Sequence, residues 1–240
     1  MRALKILFYS IVTLMVVSFG IDSFVDVNTV EADGPRLHTD MYVSGYHALD
    51  ISGSWEVILQ PGEEHHIQLE IEENIREYVR ISVDGNTLNV GMEGRVLFTS
   101  SPKIYISAPE FVGAEVSGAS SVTSASPITG SYFELEVSGA SEVQARIEVE
   151  KLKVDGSGAS DITLTGFCTD LVADLSGSSD LSAAGFSAKR AELDLSGASS
   201  ASLEVTEDLQ AHTSGASSIR YSGNPAVTQA ESGASSIRRQ

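Results

Sequence analysis

From Phe111 onward, apolar and polar residues alternate along the chain, and one small tetrapeptide, Ser-Gly-Ala-Ser, breaks the alternation at regular intervals. It starts at Ser117, Ser138, Ser157, Ser176 (here Ser-Gly-Ser-Ser), Ser196, Ser214 and Ser232, at intervals of 21, 19, 19, 20, 18 and 18 residues. Aligned on the first serine, the positions five, three and one before it and five after it are mostly apolar. In the fourth copy these are Leu171, Ala173, Leu175 and Leu181; in the fifth they are Ala191, Leu193, Leu195 and Ala201. A period of two means strands, and no window carries apolar residues at i, i+3, i+4 and i+7. A period near 19 sustained over seven copies is the mark of a solenoid. The pattern predicts an all-β fold, a right-handed single-stranded parallel β-helix (β-solenoid) with rungs of about 19 residues. A sandwich gives no reason for identical columns, and a propeller needs a repeat of roughly 40 residues or more.

Stacking explains the repetition. Nineteen residues at ~3.3 Å each trace roughly 60 Å, about one turn of a narrow coil whose turns lie ~4.8 Å apart. Each tetrapeptide then sits on its own kind. Glycine supplies a corner with positive φ, alanine fits where a larger side chain has no room, and the two serine columns hydrogen-bond up and down the stack. An earlier Ser-Gly-Ser at Ser52–Ser54 is out of phase and reads as part of another region. In the last copy the inward positions turn polar, at Gln229 and Glu231, as expected of a terminal repeat. A second copy of the chain covering that end would make a homo-oligomer.

The N-terminal half carries strand patterns at Ala48–Ile51, Trp55–Leu59, Ile67–Ile71, Arg80–Val83, Thr87–Val90 and Lys103–Ser107. Asn74–Val79 reads as one helical turn, and Asp84-Gly85-Asn86 as a hairpin turn. Residues 1–20 read as a secretory signal peptide: Arg2 and Lys5 precede the apolar run Ile6–Phe19, and Ser18 and Gly20 fit a cleavage site. The division predicted is a signal peptide over 1–20, a flexible lead-in over 21–40, a β region continuous with the solenoid over 41–110, and the repeat β-helix over 111–240. The mature protein is expected not to span a membrane.

Charge narrows the partners. The chain has 15 bases and 33 acids; without residues 1–20 it keeps 13 bases, a formal charge of −20. Such a surface repels phosphate backbones, so nucleic acid is not an expected partner. Cys168 is the sole cysteine, which excludes an internal disulfide and any cysteine-based metal site.

Three stretches carry a family resemblance: "VSGYHALDISGSWEVILQPGEEHHIQLEIEENI", "VRISVDGNTLNV" and "PKIYISAPEFVGAEVSGASSV". Their order, followed by serial Ser-Gly-Ala-Ser repeats, resembles the head GIN domain family of auto-transporter adhesins over roughly residues 40–240. The resemblance implies an exported bacterial β-helical protein, adhesin-like, and brings no catalytic residues with it.

Each candidate site has a plainer reading beside it. Two residues before the first serine runs an acidic column: Glu115, Glu136, Asp155, Asp174 and Asp194, then His212. Four residues after that serine lie Glu142, Asp161 and Asp180. Calcium between turns would use such oxygens; the plainer reading is an outward solvated face, and no metal residue is assigned. Asp155, Asp161, Asp174 and Asp180 could supply the two carboxylates of a glycoside hydrolase, but a flat ladder offers no cleft to raise an acid's pKa. No catalytic, cofactor-binding or metal-binding residue is therefore assigned, and no cofactor is expected. His65 and His66, as strand neighbours, face opposite ways and cannot chelate one ion together. Trp55, Tyr42, Tyr46 and Tyr78 could stack on sugars, core or rim packing being the commoner role. The expectation is a non-catalytic exported β-solenoid, an adhesin-like binding or scaffolding module at the bacterial cell envelope (periplasm, outer surface or medium). Its partners would be a glycan, a cell-surface protein or itself. The alternatives are a carbohydrate-active enzyme on a β-helix and a self-assembling structural element.

Overall fold

The computed structural model describes residues 29–240; the signal-peptide expectation, and the lead-in as far as residue 28, lie outside them. In chain order the first strands are β1 (Thr29–Glu31), β2 (Arg36–Met41), β3 (Ala48–Gly53), β4 (Glu56–Pro61) and β5 (His66–Glu72). After a 3-10 turn at Glu73–Tyr78 come β6 (Val79–Asp84), β7 (Thr87–Met92), β8 (Arg95–Leu97) and β9 (Lys103–Ala108). The repeats follow as β10 (Gly113–Gly118), β11 (Ser121–Ser124), β12 (Ile128–Val137), β13 (Glu142–Gly156), β14 (Asp161–Leu175), β15 (Asp180–Leu195) and β16 (Ser200–Thr213). The last three are β17 (Ser218–Ser222), β18 (Ala226–Glu231) and β19 (Ser236–Arg239). All but β1 and β8 belong to one continuous sheet wound into a parallel β-solenoid.

The columns read from the sequence are the registers of that coil. Leu152 stands on Phe133 and under Leu171; Ala173 stands under Leu193, and Leu193 under Ala211. Leu171, Ala173 and Leu175 are buried, whereas Val172 and Asp174 between them are exposed, so parity alone fills the tube. Bulges in β14–β15 and β15–β16 absorb the unequal repeat lengths.

The glycine column is the tightest element. Gly118, Gly139, Gly158, Gly177, Gly197, Gly215 and Gly233 all have φ between +73° and +88°. A Cβ on any of them would lie 2.3–2.7 Å from the carbonyl oxygen of the glycine one rung earlier. Both the conformation and the space exclude other residues.

Ser52–Ser54 needs correcting. Ser52 pairs with Ser117 and Gly53 with Gly118, so this segment is the first corner of the same ladder. The chain leaves the coil after β4 and lays β7 and β9 against the far side of β3 and β4. It then returns as β10 and β11 on the near side. The excursion spoils the interval without spoiling the stack. Antiparallel strands β6, β5 and β2 finish that end.

The lead-in over 21–40 is also corrected from residue 29 on. β2 pairs along its whole length with β5, and β1 with β8. Arg36 fastens β2: its Nε donates to Glu72 Oε1 at 3.1 Å, and its Nη2 donates to Ser100 Oγ at 2.7 Å and to the Ser101 carbonyl at 2.9 Å.

Alanine in the tetrapeptide was expected where room runs out, but Ala119, Ala140, Ala159, Ala198 and Ala216 are exposed. The inward residue is the final serine, buried at Ser120, Ser141, Ser160, Ser179, Ser199 and Ser217. Its hydroxyl mostly turns back to its own corner: Ser179 to the Ser176 carbonyl at 2.7 Å, Ser199 to Ser196 at 2.7 Å, Ser217 to Ser214 at 2.8 Å. Hydroxyl meets hydroxyl directly between Ser160 and Ser179, at 3.1 Å. Donation to a carbonyl of the same corner satisfies a buried hydroxyl without relying on the next rung.

Candidate functional site

A groove of about 680 Å³ runs along the outside of the coil, parallel to its axis. The ends of β12, β13, β14, β15, β16 and β18, each with the serine that follows, present the same three positions to it, and β10 adds Glu115. One wall is the acidic column, the other the first-serine column Ser138, Ser157, Ser176, Ser196, Ser214 and Ser232. The floor between them is the backbone of the inward-pointing residues, including Gly156, Leu175 and Leu195. Crossing seven rungs at ~4.8 Å per step, the groove is roughly 29 Å long. The flat ladder expected of outward residues is therefore hollow at this edge. Parity sets which way a side chain points but says nothing of how the backbone curves into the glycine corner.

Register brings the acids together. Asp50 stacks on Glu115, Glu115 on Glu136, Glu136 on Asp155, Asp155 on Asp174, and Asp174 on Asp194; His212 follows Asp194. Partial burial, reinforced by Asp155 and Asp194, holds the Asp174 carboxyl above its ordinary range. Partial burial, with Asp50 and Glu136, does the same to Glu115. Counter-charge enters at two points. Lys153 Nζ sits 2.7 Å from Asp155 and 2.8 Å from Glu134, and these two carboxylates push the lysine pKa up. His212 Nδ1 lies 3.3 Å from Asp194 Oδ1. Glu134, Glu136 and Asp155 come close enough to share a metal ion, but Lys153 already bridges two of the three. The side chains of Glu115, Glu136 and Asp174 make no ion pair or hydrogen bond among the described residues.

The second acidic column, Glu142, Asp161 and Asp180, also stacks in register, on the stretch that follows the corner and away from the groove lining. Asp180 accepts a hydrogen bond from Ser200 Oγ. Asp161 and Asp180 therefore do not join Asp155 and Asp174 in one cleft. His65 stands just before β5 and His66 begins it, and they take separate partners: His65 Nε2 lies 2.8 Å from the Tyr46 carbonyl, and His66 Nε2 3.0 Å from Asp40 Oδ1. Trp55 and Tyr46 are core residues. The Trp55 indole donates to the Ser52 carbonyl at 3.1 Å, and the Tyr46 hydroxyl donates to the Ser107 carbonyl at 2.7 Å. Burial pushes the Tyr46 hydroxyl up to about 12. Tyr78 is half-buried against the core. Tyr42 is 79% exposed, with its ring 5.0 Å from that of His66. Cys168 is buried, its thiol pushed up to about 12 by that burial.

A family model described as "Putative auto-transporter adhesin, head GIN domain" matches residues 45–225, well over half of the chain. The chain belongs to the head GIN domain family. Crystal structures similar to this head GIN protein include a "putative adhesin" from Bacteroides fragilis, with TM-score 0.83 and 21% identity, covering 88% of this chain and 100% of that one. A second "putative adhesin", from Parabacteroides merdae, has TM-score 0.74 and 20% identity over 88% of this chain and 99% of that one. A "Putative lipid binding protein" from Parabacteroides distasonis has TM-score 0.68 and 19% identity, with coverage of 88% and 99%. At these identities the likeness is one of fold. No curated protein matches the chain. Among the described residues no helix is long and apolar enough to cross a membrane.

Proposed function

We propose that this head GIN protein is an exported, non-catalytic binding module of the bacterial cell envelope, and that it binds through the long groove. One observation carries the reading: six successive rungs present the same backbone floor and serine wall, four of them with an acid opposite, to a single groove. Each contact in such a site is weak, and a ligand that repeats along its own length engages many at once. The volume falls in the usual range for ligand sites, about 300–1,000 Å³, but the shape is long and open. The wall carboxylates Glu136, Asp174 and Asp194 are exposed, whereas acid–base chemistry needs a sheltered pair with opposed pKa values.

The test uses the protein purified after export, labelled and incubated with envelope fractions. The wild type is retained; a variant with Glu136→Gln, Asp174→Asn and Asp194→Asn is released. A matched variant with Glu142→Gln, Asp161→Asn and Asp180→Asn, losing the same charge from the other ladder, behaves as wild type. Absence of retention, or equal loss in both variants, would reject the reading. Cleavage of a polysaccharide panel that vanishes in Asp155→Asn or Asp174→Asn would replace it with an enzymatic one.

A further inference from the structure

Resting on that reading, we propose that the groove takes a linear glycan of amino sugars with free amines, lying along the solenoid axis with about one sugar per rung. Spacing comes first. Over the four rungs from Glu136 to Ser196 the groove offers a fresh carboxylate and hydroxyl every ~4.8 Å. In an extended peptide, side chains on one face recur about every 6.6 Å, twice the residue rise, so a peptide loses register within two rungs. A β-1,4-linked pyranose chain advances by about one rung height per ring and turns each ring over relative to the last, so its amines recur on one side at about every second rung. The groove thus suits a polymer of sugar rings better than a polypeptide of the same charge.

Charge selects among glycans. Glu115, Glu136 and Asp174 face the groove without an ion pair, and Asp174 stacks directly between two further aspartates. A neutral or acidic polysaccharide would leave that repulsion in place, whereas the ammonium of every second ring, on the side that faces the wall, meets it. The opposite wall accommodates the rest of the ring: Ser157, Ser176, Ser196 and Ser214 are hydroxyls that both donate and accept. Lys153 pairs with Asp155 and His212 stands beside Asp194, which leaves Asp174 between them as the acid of this stretch without a partner.

The experiment measures binding of the exported protein to a β-1,4-linked glucosamine hexamer in slightly acidic, low-salt buffer, where the amines are charged. The N-acetylated hexamer and hexalysine are the comparators. Wild type binds the glucosamine hexamer best, with affinity rising from dimer to hexamer. The groove variant (Glu136→Gln, Asp174→Asn, Asp194→Asn) loses about tenfold, and the matched variant of the other ladder less than about threefold. Equal losses in the two variants, hexalysine binding as tightly as the amino sugar, or affinity independent of length would each overturn the proposal. The length series uses wild type alone and so tests it independently of the variants. Groove-dependent retention on envelopes without any binding of the glucosamine hexamer would remove this ligand and leave the binding module standing. Loss of envelope retention itself would remove the module.

Discussion

Replacing Gly158 by alanine puts the stacking account at risk at its tightest point. Gly158 has φ +76°, and an added Cβ would stand 2.7 Å from the Gly139 carbonyl oxygen and 3.1 Å from its nitrogen. The left-handed conformation alone costs an L-residue roughly 1–2 kcal/mol, partly offset by about 0.4–1 kcal/mol because alanine stiffens the unfolded chain. Ordinary contact with the oxygen needs about 0.5 Å more room. Opening that gap stretches the bond from the Ala159 amide to the Gly139 carbonyl, now 2.8 Å, and forfeits about 0.5–1.5 kcal/mol. The expected total is about 2 kcal/mol. Gly85→Ala isolates the conformational part: φ there is +59°, and nothing lies within 4 Å of the added carbon. That variant should lose about 1 kcal/mol. Thermal melting followed by circular dichroism should show Tm lowered by about 4–8 °C for Gly158→Ala and about 2–4 °C for Gly85→Ala. Hydrogen exchange should place the Gly158→Ala damage at the corner amide of Ala159, which bonds Gly139 across the opened gap. Equal losses in the two variants would mean that glycine serves only the turn and that close contact between rungs contributes nothing.

Three further outcomes follow from the geometry. Ser179→Ala removes a buried hydroxyl that bonds the Ser176 carbonyl and accepts from Ser160, so urea denaturation should show about 1–2 kcal/mol lost; exposed Ser178→Ala should stay within about 0.5 kcal/mol. Arg36→Met strips the charged partner from Glu72, whose side chain is 7% exposed. The cost should be about 1–3 kcal/mol, with hydrogen-exchange protection lost first across Arg36–Met41; unchanged protection there would contradict the fastening role. The raised Asp174 carboxyl binds its proton more firmly folded than unfolded. Its contribution is therefore complete below the ordinary carboxyl range and lost as pH rises through the folded value. Asp174→Asn should accordingly raise Tm by about 1–2 °C at neutral pH and lose that gain below the carboxyl range; a gain that persists in acid would argue against charge repulsion as its cause.

The repeat half was legible because two periods coincide there: side chains alternate every residue, and a small-residue corner returns with each rung. Leu171, Ala173 and Leu175 could be assigned inward on alternation alone. Ser52–Ser54 escaped because a search by equal intervals cannot see a stack that the chain leaves and rejoins; the clue was the shared Leu-Asp-Ile-Ser-Gly pattern, close to the Leu-Asp-Leu-Ser-Gly of the fifth copy. β2 was hidden for another reason. Its sequence, Arg-Leu-His-Thr-Asp-Met, buries little, and it is held by main-chain pairing and by Arg36 rather than by an apolar face. The alanine column was misassigned because a small residue suits a crowded site and an exposed tight corner equally well. Of the groove, the two walls were readable as columns. Its depth was not, because depth depends on the bend of the strand into the corner, and residue order does not encode that bend in any alternation.

The bonds between rungs run along the solenoid axis, whereas the covalent chain runs around it. Tension applied along the axis therefore falls on the inter-rung hydrogen bonds in series, and the weakest junction yields alone while the others hold. Each rung that lets go frees some 19 residues, about 60 Å of slack. A tether built this way lengthens by increments under load and keeps the remainder of its wound body intact.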